Sequence, residues 1–306
     1  MPVTLTGGAV ITGGMQVTEG GSPSPTPSYS FQGSNFGYTS GGFPNTNVID
    51  KFSFTSDGNA TDVGDLTVAR NGLAGQTSDA SGYTSGGDLA GTIDKFSFSS
   101  DGNATDVGDL SVGRQWATGQ SSSTSGYASG GDDPTNQNII DKFSFSSDGN
   151  ATDVGDLTVN RYGSSGQSSS ASGYTSGGAP SSNVIDKFPF ASDGNATDVG
   201  DLTQSKFYVA GQSSTASGYS SGGSPVTNTI EKFSFSSDGN ASDVGDLSQA
   251  RRRSAGQSST ASGYTSGGDA PGNVNTIDKF PFASDGNATD VGDLTVARRA
   301  TAGQQY

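Results

Sequence analysis

The clearest hydrophobic pattern along the chain is an alternation of period two, not a helical stripe. In Lys95-Phe96-Ser97-Phe98 the two rings share one face, and Lys95 and Ser97 share the other. That alternation is the mark of a strand with one buried face. It returns at each third-strand lysine: Lys51, Lys95, Lys142, Lys187, Lys232 and Lys279. Two more phrases recur with it. One is Gly37-Tyr38-Thr39-Ser40-Gly41-Gly42, whose first glycine has counterparts at Gly82, Gly126, Gly173, Gly218 and Gly263. These lie 45, 44, 47, 45 and 45 residues apart. The other is the Asp-rich run that begins at Asp57 and recurs at Asp101, Asp148, Asp193, Asp238 and Asp285. Six copies of one unit therefore fill almost the whole chain.

The second unit predicts four short strands, over residues 74–78, 81–86, 92–99 and 104–112. Ser100-Asp101-Gly102-Asn103 predicts a tight hairpin turn between the last two, from residues that tolerate positive φ. Pro189 and Pro281 fall inside third strands, where the missing N–H predicts incomplete pairing with the fourth strand, or a bulge. Four strands per unit, repeated six times, predicts a radial arrangement in which each sheet buries its faces against its neighbours. The expected fold is all-β: a six-bladed β-propeller of four-stranded antiparallel blades over residues 29–306.

Each unit begins its first strand with Gly-Gln, from Gly75-Gln76 to Gly256-Gln257. A sixth pair, Gly303-Gln304, follows the last unit, whereas residues 29–36 lack one. Residues 301–306 are therefore expected to supply the inner strand of the first blade and close the ring.

Residues 1–28 differ in kind. A six-residue repeat (Leu5-Thr6-Gly7-Gly8-Ala9-Val10, then Ile11-Thr12-Gly13-Gly14) precedes a Gly/Ser/Pro stretch with Pro23, Pro25 and Pro27 at alternate positions. This reads as a docking arm, residues 1–17, that adds strands to a neighbouring protein, followed by a stiff, extended linker.

Composition changes the picture in a few places. Only 29% of residues are hydrophobic and 48 are glycine, which points to thin, repeated cores. There is no cysteine and no histidine, so thiol chemistry and the usual neutral-pH base are absent. The net charge of −15 opposes a broad nucleic-acid surface. No apolar run is long enough to span a membrane, and the first twenty residues carry no basic and apolar leader pattern.

The unit resembles the kelch repeat. Tyr83, Gly86, Gly87, Phe98 and Arg114 fit that family's aromatic, double glycine, late third-strand aromatic and arginine. The slot for its fourth-strand tryptophan holds Ala104 or Thr105. The resemblance implies a kelch-like propeller across residues 29–306. The phrases Ile-Asp-Lys-Phe, Gly-Tyr-Thr-Ser-Gly-Gly and Asp-Gly-Asn-Ala-Thr-Asp-Val-Gly-Asp-Leu are also similar to repeat proteins of marine phages, cyanophages in particular.

Charge placement separates scaffold from candidate site. Of 30 acidic residues, 24 occupy four fixed slots in six units. Of 15 basic residues, six are the third-strand lysines. The remaining nine, 15 − 6, lie between a fourth strand and the next Gly-Gln. Among these, one arginine recurs in the same slot (Arg70, Arg114, Arg161, Arg251, Arg298). A scaffold role predicts pairing of such an arginine with a fixed carboxylate such as Asp109. In a propeller, the loops between strands four and one and between strands two and three open on one face, and both are variable here. The other face is expected to be uniform and acidic. The candidate binding residues on the variable face are Arg114, Trp116, Arg161, Tyr162, Phe207, Tyr208, Arg252, Arg253 and Arg299. Exposed aromatics and arginines are what interfaces and sugar sites use.

Other motifs point elsewhere. The Asp57-x-Asn59-x-x-Asp62-x-x-Asp65 run has hard oxygen ligands but neither EF-hand spacing nor its bidentate Glu, so a turn explains it better than calcium. Asn59-Ala60-Thr61 fits a glycosylation sequon and is equally explained by the turn. No single carboxylate pair stands out for glycoside hydrolysis. No cofactor or metal is expected. The combined expectation is a non-enzymatic phage virion protein, a fibre, spike or capsid-surface component. Residues 1–17 would hold it to other virion structural proteins, and its variable face would meet host-surface polysaccharide; a homo-oligomer stays open. A cellular protein-interaction propeller and a glycan-active enzyme are the alternatives.

Overall fold

The computed structural model describes residues 31–306, together with residues 15–16 and 24–25. The chain forms two units, Met1–Ser30 and Phe31–Tyr306. In the first, Met15–Gln16 pairs antiparallel with Ser24–Pro25. Ser24–Pro25, expected within an extended linker, is thus one side of a short ladder. The rest of the expected arm lies outside the described residues.

The second unit is a six-bladed β-propeller, with no helix among the described residues. Every blade is a four-stranded antiparallel sheet, and in blades 2 to 6 the strands run in chain order from the axis outward. Blade 2 is Ala74–Thr77, Ser81–Ser85, Thr92–Ser97 and Thr105–Asp109. Blades 3 to 6 begin at Thr118–Ser121, Ser165–Ser168, Ala210–Ser213 and Ala255–Ser258. Blade 1 takes its inner strand from the far end of the chain. Ala302–Gln305 pairs with Phe36–Ser40, and Val48–Ser53 and Thr61–Asp65 follow outward.

Six near-identical interfaces hold the blades together. In each, a second-strand tyrosine is covered by two phenylalanines of the next blade. Tyr38 lies 5.4 Å from Phe96 and 5.0 Å from Phe98, centroid to centroid. Tyr264 of blade 6 meets Phe52 and Phe54 of blade 1 in the same way, so the packing closes on itself. Ala104, in the slot where kelch repeats carry tryptophan, is buried in the same cluster as Tyr38 and Leu66. Burying such rings is the main apolar drive of a protein with few large hydrophobic residues.

Nearer the axis the interfaces become polar. The inner strands run side by side so tightly that a Cβ on Gly119 would sit 1.9 Å from the Gly75 carbonyl oxygen. On Gly303 it would sit 2.2 Å from that of Gly256. The glutamine after each of these glycines reaches across the gap. Gln76 Nε2 donates to the Tyr127 carbonyl at 3.0 Å, and Gln304 Nε2 to that of Tyr83 at 3.0 Å. Gln120, Gln167, Gln212 and Gln257 make the equivalent bond. The Gly-Gln dipeptide is therefore a ring-closing device, with glycine for close approach and glutamine for the tie.

The strand four region differs from the hairpin expected. Lys95 lies opposite Thr105, so residues 96–104 form the connection. It reaches over to the preceding blade. Ala104 N–H donates to the Asp65 carbonyl at 2.8 Å, Asn103 Oδ1 accepts the Asp65 N–H at 3.1 Å, and Asp101 meets Lys51 at 2.9 Å. Pro189 and Pro281 lie beyond the last rung to the outer strand, Lys187↔Thr197 and Lys279↔Thr289. Blades without proline stop at the same rung, and every blade has a bulge after its isoleucine, so proline is not the cause.

Candidate functional site

The recurring cations are scaffold. Arg114 and Arg161, both named as surface candidates, are fully buried and leave the binding list. Arg114 meets Asp141 at 2.7 Å and Arg161 meets Asp186 at 2.7 Å. Arg70–Asp94, Lys206–Glu231, Arg251–Asp278 and Arg298–Asp50 complete a ring of six. The carboxylate partner is on the third strand of the following blade, not the outer-strand Asp109. The reason is reach: the side chain threads beneath the next blade's double glycine, where Arg70 Nε also donates to the Gly86 carbonyl at 2.8 Å. Burial pushes the pKa of Lys206 down, against the pull of Glu231.

Two residues after each buried cation the chain reaches the axis. The six residues there are Gly72, Trp116, Gly163, Tyr208, Arg253 and Ala300, and all have left-handed φ between 57° and 71°. Each donates its N–H to the carbonyl of its counterpart in the preceding unit, at 2.5–2.9 Å, and Gly72 closes the circle onto Ala300. This hydrogen-bonded ring frames one mouth of the axial channel. The chain uses glycine at two of the positions, as the conformation favours, and at a third Ala300, which bears the same Cβ cost but a small side chain. At the other three it places Trp116, Tyr208 and Arg253, against a steric cost of about 1–2 kcal/mol each. Departures of this kind from local preference concentrate at functional sites.

The large side chains occupy the space that the small ones leave. A Cβ on Gly163 would lie 2.8 Å from the Tyr208 ring, and one on Gly72 would lie 3.4 Å from the Trp116 indole. Trp116 and Tyr208 are 4.6 Å apart, and the Arg253 guanidinium lies 4.2 Å from the Tyr208 centroid. Below them is a cavity of about 100 Å³ along the axis, walled by inner-strand residues. Phe31 lines its other end, near Thr77, Ser258 and Gln305, and its carbonyl accepts from Gln305 Nε2 at 2.8 Å.

A second ring surrounds the first. Tyr162, Phe207, Arg252 and Arg299 stand one residue before the mouth positions and bridge to the loop between strands two and three of their blade. Phe207 and Tyr162 approach the Tyr208 ring at 4.9 and 6.0 Å. Both variable loop sets therefore meet on one face, and seven of the nine candidates gather around its centre. Sequence reasoning missed Asp269, which Arg252, Arg253 and Arg299 share. It also missed Phe43, which lies 4.5 Å beneath Arg299. Both belong to loops of variable length, where no period marks a position. The small residues Gly72, Gly163 and Ala300 were legible as one column with Trp116, had the units been compared from the fixed cation.

The Asp-rich run is engaged in structure. Asp57 pairs with Lys279, Asn59 Oδ1 accepts the Asp293 N–H, and Asp62 Oδ1 accepts the Gly64 N–H. No family model and no curated protein matches the chain.

Proposed function

We propose that this chain is a kelch-like binding propeller without catalytic activity and a structural component of a marine phage virion. In this reading its variable mouth meets host-surface polysaccharide, and residues 1–17 dock it to other virion proteins. The observation that carries the binding role is the placement of Trp116, Tyr208 and Arg253 at three of six equivalent left-handed positions, where the other three are glycine or alanine. The rest of the repeat is nearly uniform, so change has been tolerated where the axis opens. Adjacent aromatic faces suit the apolar face of a sugar ring. Asp269, the carboxylate within this cluster, has both oxygens engaged by arginine, which favours recognition over proton delivery. The phage assignment rests on the likeness of the repeat phrases.

Mass spectrometry of purified particles tests the virion role, and adhesion of the full chain to host cells tests the face. The protein should be found in particles, and Trp116→Ala with Tyr208→Ala should abolish adhesion. Recovery with one soluble cellular partner and never with particles would instead mark a cellular interaction propeller.

A further inference from the structure

Cation pairing singles out one place on this acidic protein. Of its 15 basic residues, 12 are matched one to one with 12 different carboxylates. Six of these pairs are the buried ring. The other six join a third-strand lysine to the turn of the next blade. The remaining three, Arg252, Arg253 and Arg299, converge on Asp269 alone, at 3.1, 3.5 and 3.6 Å. Within this contact cluster three cations meet one carboxylate, in a chain whose net charge is −15; Asp132, bridged to Gln115, and Asp88, bonded to Asn71, stand on the neighbouring loops of the same face. All three arginines come from the mouth and the ring around it.

The donors are also under-used. A guanidinium carries five N–H groups in a fixed fork suited to oxyanions. Beyond Asp269, Arg252 reaches Ser224 at 3.4 Å and Arg299 reaches Asn273 at 3.2 Å. Arg253 Nε is buried and has no partner. Asp269 holds the three cations together against mutual repulsion, and their side chains remain 20–32% exposed. The Arg253 guanidinium lies over the Tyr208 ring and 5.6 Å from that of Trp116, so oxyanion donors and a sugar-stacking surface share one site.

We infer that the mouth binds an anionic saccharide, with the free N–H groups of Arg252, Arg253 and Arg299 receiving a carboxylate or sulfate ester and Trp116 and Tyr208 receiving the ring that bears it. This rests on the binding role proposed above and names its ligand class.

The test is affinity electrophoresis of the full chain in gels containing dextran sulfate, polygalacturonate or unmodified dextran. One or both polyanions should retard the protein, and dextran should not. Which of them does so identifies the oxyanion. Retardation should weaken about tenfold between about 0.05 M and about 0.5 M NaCl, as partly exposed charges are screened. Arg252→Gln and Arg299→Gln should each weaken it several-fold, while Lys95→Gln, which removes a paired cation elsewhere, should not. Near-ultraviolet circular dichroism confirms that the variants are folded. Equal retardation by dextran, insensitivity to both arginine changes, or an equal response to Lys95→Gln overturns the inference. If host-cell adhesion persists while neither polyanion binds, only the anion assignment falls. If nothing binds and adhesion is also absent, the binding role falls with it.

Discussion

Shortening Glu231 to Asp perturbs the one member of the buried cation ring that departs from Arg–Asp. At five of the six interfaces the pair is a long cation with a short carboxylate. At the sixth, Lys206 meets Glu231, a shorter cation with a longer carboxylate, and both side chains are fully buried. Glu231 Oε1 also accepts the Thr203 N–H at 2.7 Å. Glu231→Asp withdraws the carboxylate by about one carbon–carbon bond, roughly 1.3 Å. With an effective dielectric near 20, lengthening the contact from 2.5 Å to about 3.8 Å reduces the attraction by about 2 kcal/mol. The Thr203 bond is kept, since an aspartate at this position accepts the equivalent N–H in the other five blades, as Asp94 does from Thr67 at 3.1 Å, so the single change should cost about 2 kcal/mol. Lys206→Arg alone puts a longer cation into space sized for lysine and should cost about 1–3 kcal/mol. The double variant recreates the pair of the other five interfaces and should return to within about 1 kcal/mol of the parent. Urea unfolding of the four proteins gives the coupling energy. Additivity of the two singles to within about 0.5 kcal/mol would refute the length-matching argument.

Three further outcomes follow from the ring. Deleting residues 301–306 removes the inner strand of blade 1, the Gln304 ties and the Tyr306–Phe98 stack. It should cost about 5 kcal/mol and lower the melting temperature by about 10 °C or more, and an unchanged melting curve would disprove closure by this strand. Gly119→Ala forces a Cβ to 1.9 Å from the Gly75 oxygen. It should destabilise by about 3 kcal/mol or more, whereas Gly272→Ala, with no atom within 4 Å of the added Cβ and no left-handed backbone, should be far milder; equal effects would contradict the inner ring. Stability should fall at alkaline pH. Burial raises the pKa of Tyr38, Tyr83, Tyr127, Tyr174, Tyr219 and Tyr264 above the unfolded value near 10. Hydrogen bonds to Asp raise five of the third-strand lysines as well. Groups whose folded pKa is raised contribute fully below the unfolded pKa and lose that contribution as pH rises through the folded one. Each buried tyrosine then adds a slope of about 1.4 kcal/mol per pH unit above about 10. With no histidine or cysteine, no loss of stability is expected between about pH 6 and about pH 9; Lys206, whose pKa burial lowers, acts in the opposite sense and adds stability as pH rises, so a loss centred near neutrality would contradict this.

Much of the fold was legible because the repeat exposes its own logic. Lys95-Phe96-Ser97-Phe98 announced a one-sided strand, and the sixth Gly-Gln pair marked Gly303-Gln304 as an inner strand. Residues 96–104 misled because Asp101-Gly102-Asn103 has the chemistry of a turn within its own blade. Its actual partners, Lys51 and Asp65, belong to the preceding blade. Local propensity does not report contacts made between units. Arg114 and Arg161 misled for a related reason: recurrence marked them as scaffold, but only burial removes them from the surface. Trp116 and Tyr208 stood out by breaking the repeat. Their left-handed backbone and their closeness to Arg253 could not be read from sequence, because they depend on six units meeting at one axis. Asp269 lay hidden in a loop with no fixed length.

Trp116 is the only tryptophan in the chain, and it stands at the mouth itself. Its emission is therefore a direct report on that site. Titrating the full chain with the polysaccharide that it binds should give a saturable change in Trp116 emission, at the concentrations that retard the protein in gels. Binding that saturates while Trp116 emission stays constant would place the ligand elsewhere and contradict the account.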